Sequence, residues 1–183
     1  MAAVTTIVDK IVTISRALTD RNIPHAFGGA LALAWCTEQA RGTIDIDVNV
    51  FVERAATEAV LEALPAGIVW TADQQTELER DGQVRLWWDT TPVDVFLNTT
   101  EFHAQVAVRT RDHAFNGADV PFLSCTDLAA FKAFYNRTKD WADIEAMMEM
   151  QTLDVDRVIG VLTRYLGVDD ERLERFLNLV QPH

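Results

Sequence analysis

Residues Thr43 to Val52 alternate with a period of two, and most of them are β-branched. Such a run predicts a strand with two unlike faces. Ile44, Ile46, Val48 and Val50 fall on one face; Asp45, Asp47 and Asn49 fall on the other. Residues i and i+2 of a strand point the same way, so the carboxylates of Asp45 and Asp47 lie close together. Both are ionised near neutral pH, and like charges at that range need a counter-charge. A divalent cation such as Mg²⁺ supplies one, and carboxylate oxygens suit it. The competing reading is a solvated polar face on an edge strand.

The rest of the chain frames this strand. Val4 to Leu18 carries apolar residues at helical spacing, at Val4, Ile7, Val8, Ile11, Ile14 and Leu18. Ile23 to Phe27 is a short strand candidate ended by Gly28-Gly29, and Ala30 to Cys36 is a run of good helix formers. Arg41-Gly42 breaks the pattern before the alternating strand. Glu53 to Leu64 returns to helix and stops at Pro65. Val84–Trp88 and Val93–Leu97 flank Asp89-Thr90-Thr91-Pro92 as a hairpin, and one or two strands are expected within Gln105 to Leu123.

Beyond Cys125 the pattern turns helical. Thr126-Asp127 is expected to cap a helix over Leu128–Tyr135, and Trp141–Met150 continues as helix. Asp154 caps a helix ending near Gly167, and Asp169 or Asp170 caps the last one, to about Val180. The order predicts an α+β chain: a mixed β-sheet core flanked by helices over residues 1–125, then a C-terminal helical subdomain over 126–183. No internal repeat or low-complexity tract interrupts it.

The chain has 183 residues, 49% of them hydrophobic, which suits one compact domain or a core with a helical extension. No stretch approaches 18 uncharged apolar residues, so no membrane span is expected. Met1 to Lys10 lacks the pattern of a signal peptide, and Cys36 and Cys125 are expected to be reduced structural thiols in a cytoplasmic protein. The net charge of -12 repels a phosphate backbone and argues against a large nonspecific nucleic-acid surface. It does not argue against a nucleotide site, because a metal ion bridges carboxylates to phosphates.

Three further features bear on the aspartate pair. Gly28-Gly29 sits between a strand and a helix, where backbone amides can approach a phosphate, although an ordinary tight turn reads the same way. Asp94 stands in the otherwise apolar run Val93-Asp94-Val95-Phe96, where a charge is awkward unless it faces a site. Asp45, Asp47 and Asp94 therefore stand as candidates for one metal-filled cleft. Lys132 reads either as a site residue or as a solvated helix residue. Arg137, Lys139, Asp140 and Asp143 read alternatively as a helix-start charge network with Asp140 as N-cap. Trp87, Trp88 and Trp141 are expected in the core. His25, His103 and His113 lack metal-ligand spacing and are expected to be structural.

The runs Phe27-Gly28-Gly29-Ala30-Leu31-Ala32-Leu33 and Arg41-Gly42-Thr43-Ile44-Asp45-Ile46-Asp47-Val48 together resemble the signature of the DNA polymerase beta-type nucleotidyltransferase superfamily. The interval from Gly29 to Asp45 is longer than the tightest form of that signature and is similar to that of AbiE-type enzymes, some of them toxins of toxin–antitoxin pairs, and of aminoglycoside nucleotidyltransferases. A second block, Asp127 to Lys132 followed by Arg137 to Ile144, resembles the AbiE-type element. The resemblance implies Mg²⁺, with Mn²⁺ as a substitute, on Asp45, Asp47 and Asp94. It implies catalytic roles for these aspartates, with Lys132 and Asp143. It also implies a nucleotide held by Gly28, Gly29, Arg41, Thr43, Lys132, Lys139 and Asp140. Asp94 is then the base or a third metal ligand, and Asp143 or Asp140 orients Lys132. The implied reaction is pyrophosphate-releasing transfer of a nucleoside monophosphate from an NTP to a hydroxyl. The acceptor stays open between RNA such as tRNA, a protein and a small molecule such as an aminoglycoside. A toxin would bring an antitoxin partner. A non-catalytic binding module is the reading from another class.

Overall fold

The computed structural model describes residues 5–39 and 42–181. Thr6 opens the first helix, α1 (Ile7–Asp20), with a capping box: its hydroxyl accepts from the Asp9 N–H, and the Asp9 carboxylate accepts from the Thr6 N–H. Strand β1 (His25–Phe27) leads into the paired glycines, and α2 (Gly29–Thr37) follows. Then come β2 (Ile46–Glu53), a 3₁₀ turn at Arg54–Ala56, α3 (Thr57–Ala63), β3 (Ile68–Val69) and α4 (Ala72–Asp81). Strands β4 (Gln83–Trp88) and β5 (Thr91–Asn98) form a hairpin. Helix α5 (Glu101–Val106) precedes a second hairpin, β6 (Arg111–Phe115) and β7 (Ala118–Phe122). Helices α6 (Cys125–Tyr135), α7 (Thr138–Glu149), α8 (Val155–Leu166) and α9 (Glu171–Val180) complete the chain.

Two compact units emerge. One comprises residues 5–31 and 42–123; the other comprises 32–39 and 124–181. The expected α+β class with a helical C-terminal portion holds. The second half of α2 joins the helical unit, a long-range association that no local pattern announces.

In the first unit the strands form one mixed sheet in the order β3-β4-β5-β2-β1-β7-β6. Strand β2 runs parallel to β5 and antiparallel to β1, so it lies in the middle rather than at an edge. Alternation decides its two faces. Ile46, Val48 and Val50 are fully buried with Val93, Val95 and Leu97 of β5. Each such side chain contributes roughly 1.5–3 kcal/mol of transfer free energy. Helix α1 covers this face: Ile11, Ile14 and Leu18 are buried, and the Ser15 hydroxyl donates to Nε2 of His25 at 3.0 Å. The His25 Nδ1–H donates to the Ile23 carbonyl, which fixes that tautomer.

Ile44 does not join the apolar face; it is 75% exposed, and β2 begins only at Ile46. The Thr43 hydroxyl bonds both the N–H and the carbonyl of Asp45, a local turn that competes with extended pairing. The first hairpin is also tighter than expected. Trp88 pairs with Thr91, so Asp89-Thr90 alone make the turn, and Pro92 lies within β5. Buried Lys10 pins this turn to α1, donating to the Trp88 carbonyl at 2.8 Å and the Thr91 hydroxyl at 3.1 Å, with Asp89 at 3.2 Å.

In the helical unit, α6 is capped by Ser124 rather than by Thr126 or Asp127: the Ser124 hydroxyl accepts from the Asp127 N–H. Asp154 and Asp170 cap α8 and α9 as expected. Trp141 is buried here, as expected of a core tryptophan. Among the described residues, no helix is long and apolar enough to cross a membrane.

Cys36 and Cys125 are not free thiols. They form a disulfide across 89 residues of sequence, with Cα atoms 5.5 Å apart. Sequence distance suggested isolation, whereas the fold brings the end of α2 to the start of α6. Closing so long a loop restricts the unfolded chain, so reduction should lower stability by about 2–4 kcal/mol. Urea unfolding with and without a thiol reductant measures the loss, and alkylation of the denatured, unreduced chain should label neither cysteine.

Candidate active site

The β2–β5 register sets the site. Asp47 pairs with Asp94, so two carboxylates stand side by side on neighbouring parallel strands, about 5 Å apart at the backbone. On the other side of β2, the Gly28 N–H donates to the Asp47 carbonyl at 2.9 Å. On the other side of β5, Arg85 of β4 pairs with Asp94. One row across the sheet therefore reads Gly28, Asp47, Asp94, Arg85. Asp45 lies immediately before β2, positioned by the Thr43 turn.

The glycines allow close approach. Gly29 has φ +54°, the left-handed region, and a Cβ there would overlap the Asp47 carboxylate. Gly28 lies over Asn49: a Cβ would sit 3.0 Å from Asn49 Nδ2 and 3.1 Å from Leu123. Asn49 follows Asp47 on the same face and is buried. Its Oδ1 accepts from Nε2–H of His103, on α5, at 3.2 Å. Burial pushes His103 down to about 4, so the ring is neutral and acts as a fixed donor beneath the turn. His25 is lowered for the same reason, burial. His113 packs edge-on against Phe122.

Arg85 was not among the expected site residues. Its Nε and Nη2 donate to the two oxygens of Asp94, each at 2.7 Å, and Nη2 reaches Asp45 at 3.5 Å. Bonding to Asp94, then the charges of Asp94, Asp45 and Asp47, hold the guanidinium firmly protonated. The counter-charge that these aspartates require is thus present in the chain itself. Trp87, two residues along β4, is 47% exposed rather than core, because it shares the polar face with Arg85.

Three carboxylates on one face offer the hard oxygen donors that suit Mg²⁺, and the bare Gly29 leaves the Asp47 carboxylate its place. Among the described residues, no group of three or more His, Cys, Asp or Glu side chains is already drawn together as a metal cage. Arg85 instead bridges Asp94 and Asp45.

The helical unit holds a second cluster. Lys132 on α6 is buried, so it is not a solvated helix residue. Its Nζ donates to Asp143 at 2.7 Å and lies 3.5 Å from Asp140. Arg137 donates to both oxygens of Asp140 at 2.6 and 3.1 Å. Burial raises the Asp140 carboxyl, but the Arg137 bonds and the Lys132 charge outweigh it and hold the group below its ordinary value. Arg137, not Asp140, is the N-cap of α7; Asp140 accepts from the Arg137 N–H as the third residue of the helix. Lys139 is exposed on the first turn. Arg41 lies outside the described residues.

No family model matches the sequence, and no curated protein sequence matches it. Solved structures do match. The antibiotic-resistance factor ANT(2'')-Ia, in solution, aligns with a TM-score of 0.57 at 16% identity, over 86% of this chain and 90% of that one. A crystal structure of ANT(2'')-Ia in complex with adenylyl-2''-tobramycin aligns at 0.56 and 16%, over 95% and 98%. An antigenic nucleotidyltransferase-like protein from Paracoccidioides brasiliensis aligns at 0.54 and 16%, over 93% and 85%. The fold is that of nucleotidyltransferases.

Two outcomes follow from this geometry. Gly29→Ala should destabilise the chain by about 1–3 kcal/mol through left-handed strain and overlap with Asp47, and Gly28→Ala by less; denaturant midpoints of the two variants test the order. The second concerns pH. His103 is about 4 when folded and near 6.5 when unfolded, so its stability contribution is present above pH 6.5 and is lost as pH falls toward 4. The loss is on the order of 3 kcal/mol. Urea unfolding between pH 7.5 and 4.5 measures it, and His103→Gln should flatten that segment.

Proposed function

We propose that this chain is a Mg²⁺-dependent nucleotidyltransferase that transfers a nucleoside monophosphate from an NTP to a hydroxyl of a small cationic acceptor. The observation that carries the reading is the row of Asp47 and Asp94 on adjacent strands beside the Gly28-Gly29 turn, with Asp45 at its end. A polyphosphate fits a place where glycine backbone approaches a carboxylate-held cation. Asp45, Asp47 and Asp94 would hold the ion, which when bound offsets phosphate charge and makes a hydroxyl more acidic. The residues of the chain account for the rest. The Gly28-Gly29 turn leaves room for phosphate, and the Asn49–His103 bond keeps that turn from yielding. Asp94 accepts the proton of the acceptor hydroxyl, whose oxygen bonds the α-phosphorus as the bond to pyrophosphate breaks. Within the helical unit, Lys132 is held by Asp143 and Asp140, and the proposed role of those aspartates is to orient it.

A small acceptor is supported by the likeness to ANT(2'')-Ia, solved with an adenylylated tobramycin. The net charge of -12 points the same way, because it attracts a polyamine and repels RNA. The toxin reading, with tRNA or protein as acceptor and an antitoxin as partner, draws support only from the sequence blocks.

Incubation with Mg²⁺, each labelled NTP and an aminoglycoside panel, bulk tRNA or the chain alone separates these acceptors. Label is expected in the small molecule, with pyrophosphate released. Label in tRNA or protein transfers the reading to the toxin class, and label in none returns the chain to a binding role. Asp45→Ala and Asp47→Ala should abolish Mg·NTP binding in calorimetry, and unchanged affinity would sink the metal assignment. Asp94→Asn should cost about 10²–10⁴ in turnover while the chain still folds.

A further inference from the structure

Arg85 stands directly beside the strand carboxylates. Both oxygens of Asp94 are engaged by its guanidinium at 2.7 Å, and the same Nη2 reaches Asp45 at 3.5 Å. A carboxylate with both oxygens donated to by an arginine is poorly placed to ligate a cation or to take a proton. Yet the side chain of Arg85 is half exposed, so water screens a pair whose two-point geometry is otherwise of the strong kind. The ion pair therefore restrains Asp94 without anchoring the sheet, whose hairpin is held by Val84 and Leu86 on the opposite face and by Lys10 at its turn. The exposed half of its side chain faces solvent, the direction in which it can turn outward. A guanidinium also has a second natural partner, because phosphate oxygens match its fork as well as a carboxylate does.

We infer that Arg85 is a displaceable counter-ion: it holds Asp94 and Asp45 before metal arrives, and it exchanges onto the polyphosphate when a divalent cation takes those carboxylates. The inference rests on the proposed metal and nucleotide site. It makes Arg85 a residue that couples two ligands. Metal on the aspartates releases the guanidinium toward phosphate, and phosphate capture releases the aspartates toward metal. By reciprocity, each ligand strengthens the other by the same factor. Metal without nucleotide must compete with the guanidinium and binds weakly.

Mn²⁺ serves as the probe, titrated into the full chain and followed by calorimetry and by electron paramagnetic resonance of free Mn²⁺. In the absence of nucleotide, Arg85→Gln should bind Mn²⁺ roughly fivefold more tightly than the unaltered chain. A non-hydrolysable ATP analogue should raise Mn²⁺ affinity in the unaltered chain and raise it less in Arg85→Gln. Arg85→Lys, which keeps the charge but not the two-point bond, should fall between them, and it keeps the test available if Arg85→Gln folds poorly. Equal or weaker Mn²⁺ binding in both Arg85 variants overturns the inference. Asp45→Ala and Asp94→Asn separate the two levels. If they abolish Mn²⁺ binding while the Arg85 variants match the unaltered chain, the coupling role falls and the metal site stands. If they leave Mn²⁺ binding intact, both fall.

Discussion

Repulsion among Asp45, Asp47 and Asp94 is the constraint around which the first unit is arranged. The parallel β2–β5 register leaves the sheet no freedom to separate Asp47 from Asp94. A slip of either strand by one residue would carry its carboxylate into the buried layer of Val48, Val95 and their neighbours, at a cost of several kcal/mol. The apolar alternation that holds the core is therefore also what holds the carboxylates together. Arg85 across β5 and the exposure of Asp45 at the strand's start relieve the charge, and a glycine without a Cβ gives the Asp47 carboxylate room. Each of these features belongs to a different element, which explains why the hairpin, the glycine turn and the strand have to meet.

The helical unit solves a similar problem with less water. Lys132, Asp140 and Asp143 are all buried, and Arg137 is the half-exposed fourth member. Two cations balance two carboxylates. Removing one partner from such a group typically costs about 3–5 kcal/mol, because the survivor keeps its desolvation penalty. The spacing of Asp140 and Asp143 puts both on one face of α7, toward Lys132 on α6. A cation held this way loses its rotamer freedom, and that suits a role of presenting charge in a fixed direction more than one of roaming solvent.

Much of this was readable from residues alone where local and global signals agree. The alternation of Ile46, Val48 and Val50 against Asp47 and Asn49 predicts both the strand and its polar face, and Val93–Leu97 predicts the strand beside it. The glycine pair and Asp94 fell where their patterns implied. Failures came where one local choice moved a register. Placing Pro92 in the turn makes the hairpin four residues long and pairs Arg85 with Phe96; the true two-residue turn pairs it with Asp94. Helix α4 was missed because only Leu78 is buried, although Thr71 and Gln74 form a capping box and Gly82 ends it. The Cys36–Cys125 bond had no local signal, since it depends on α2 being shared between the units.

The Arg85 pairing also reconciles two facts that otherwise pull apart. The donor set suits a hard cation, yet no ready-made cage of acidic side chains is present among the described residues. A cage built in advance would hold three carboxylates face to face with nothing between them, and folding would have to bear that repulsion. On the proposed reading, an arginine between Asp94 and Asp45 removes the burden from folding and transfers it to ligand binding, where a cation and a polyphosphate would arrive together with opposite charges. The sheet then needs no cage assembled in advance. What it must supply is a guanidinium long enough to reach two carboxylates and exposed enough to leave them, and Arg85 on β4 has both properties.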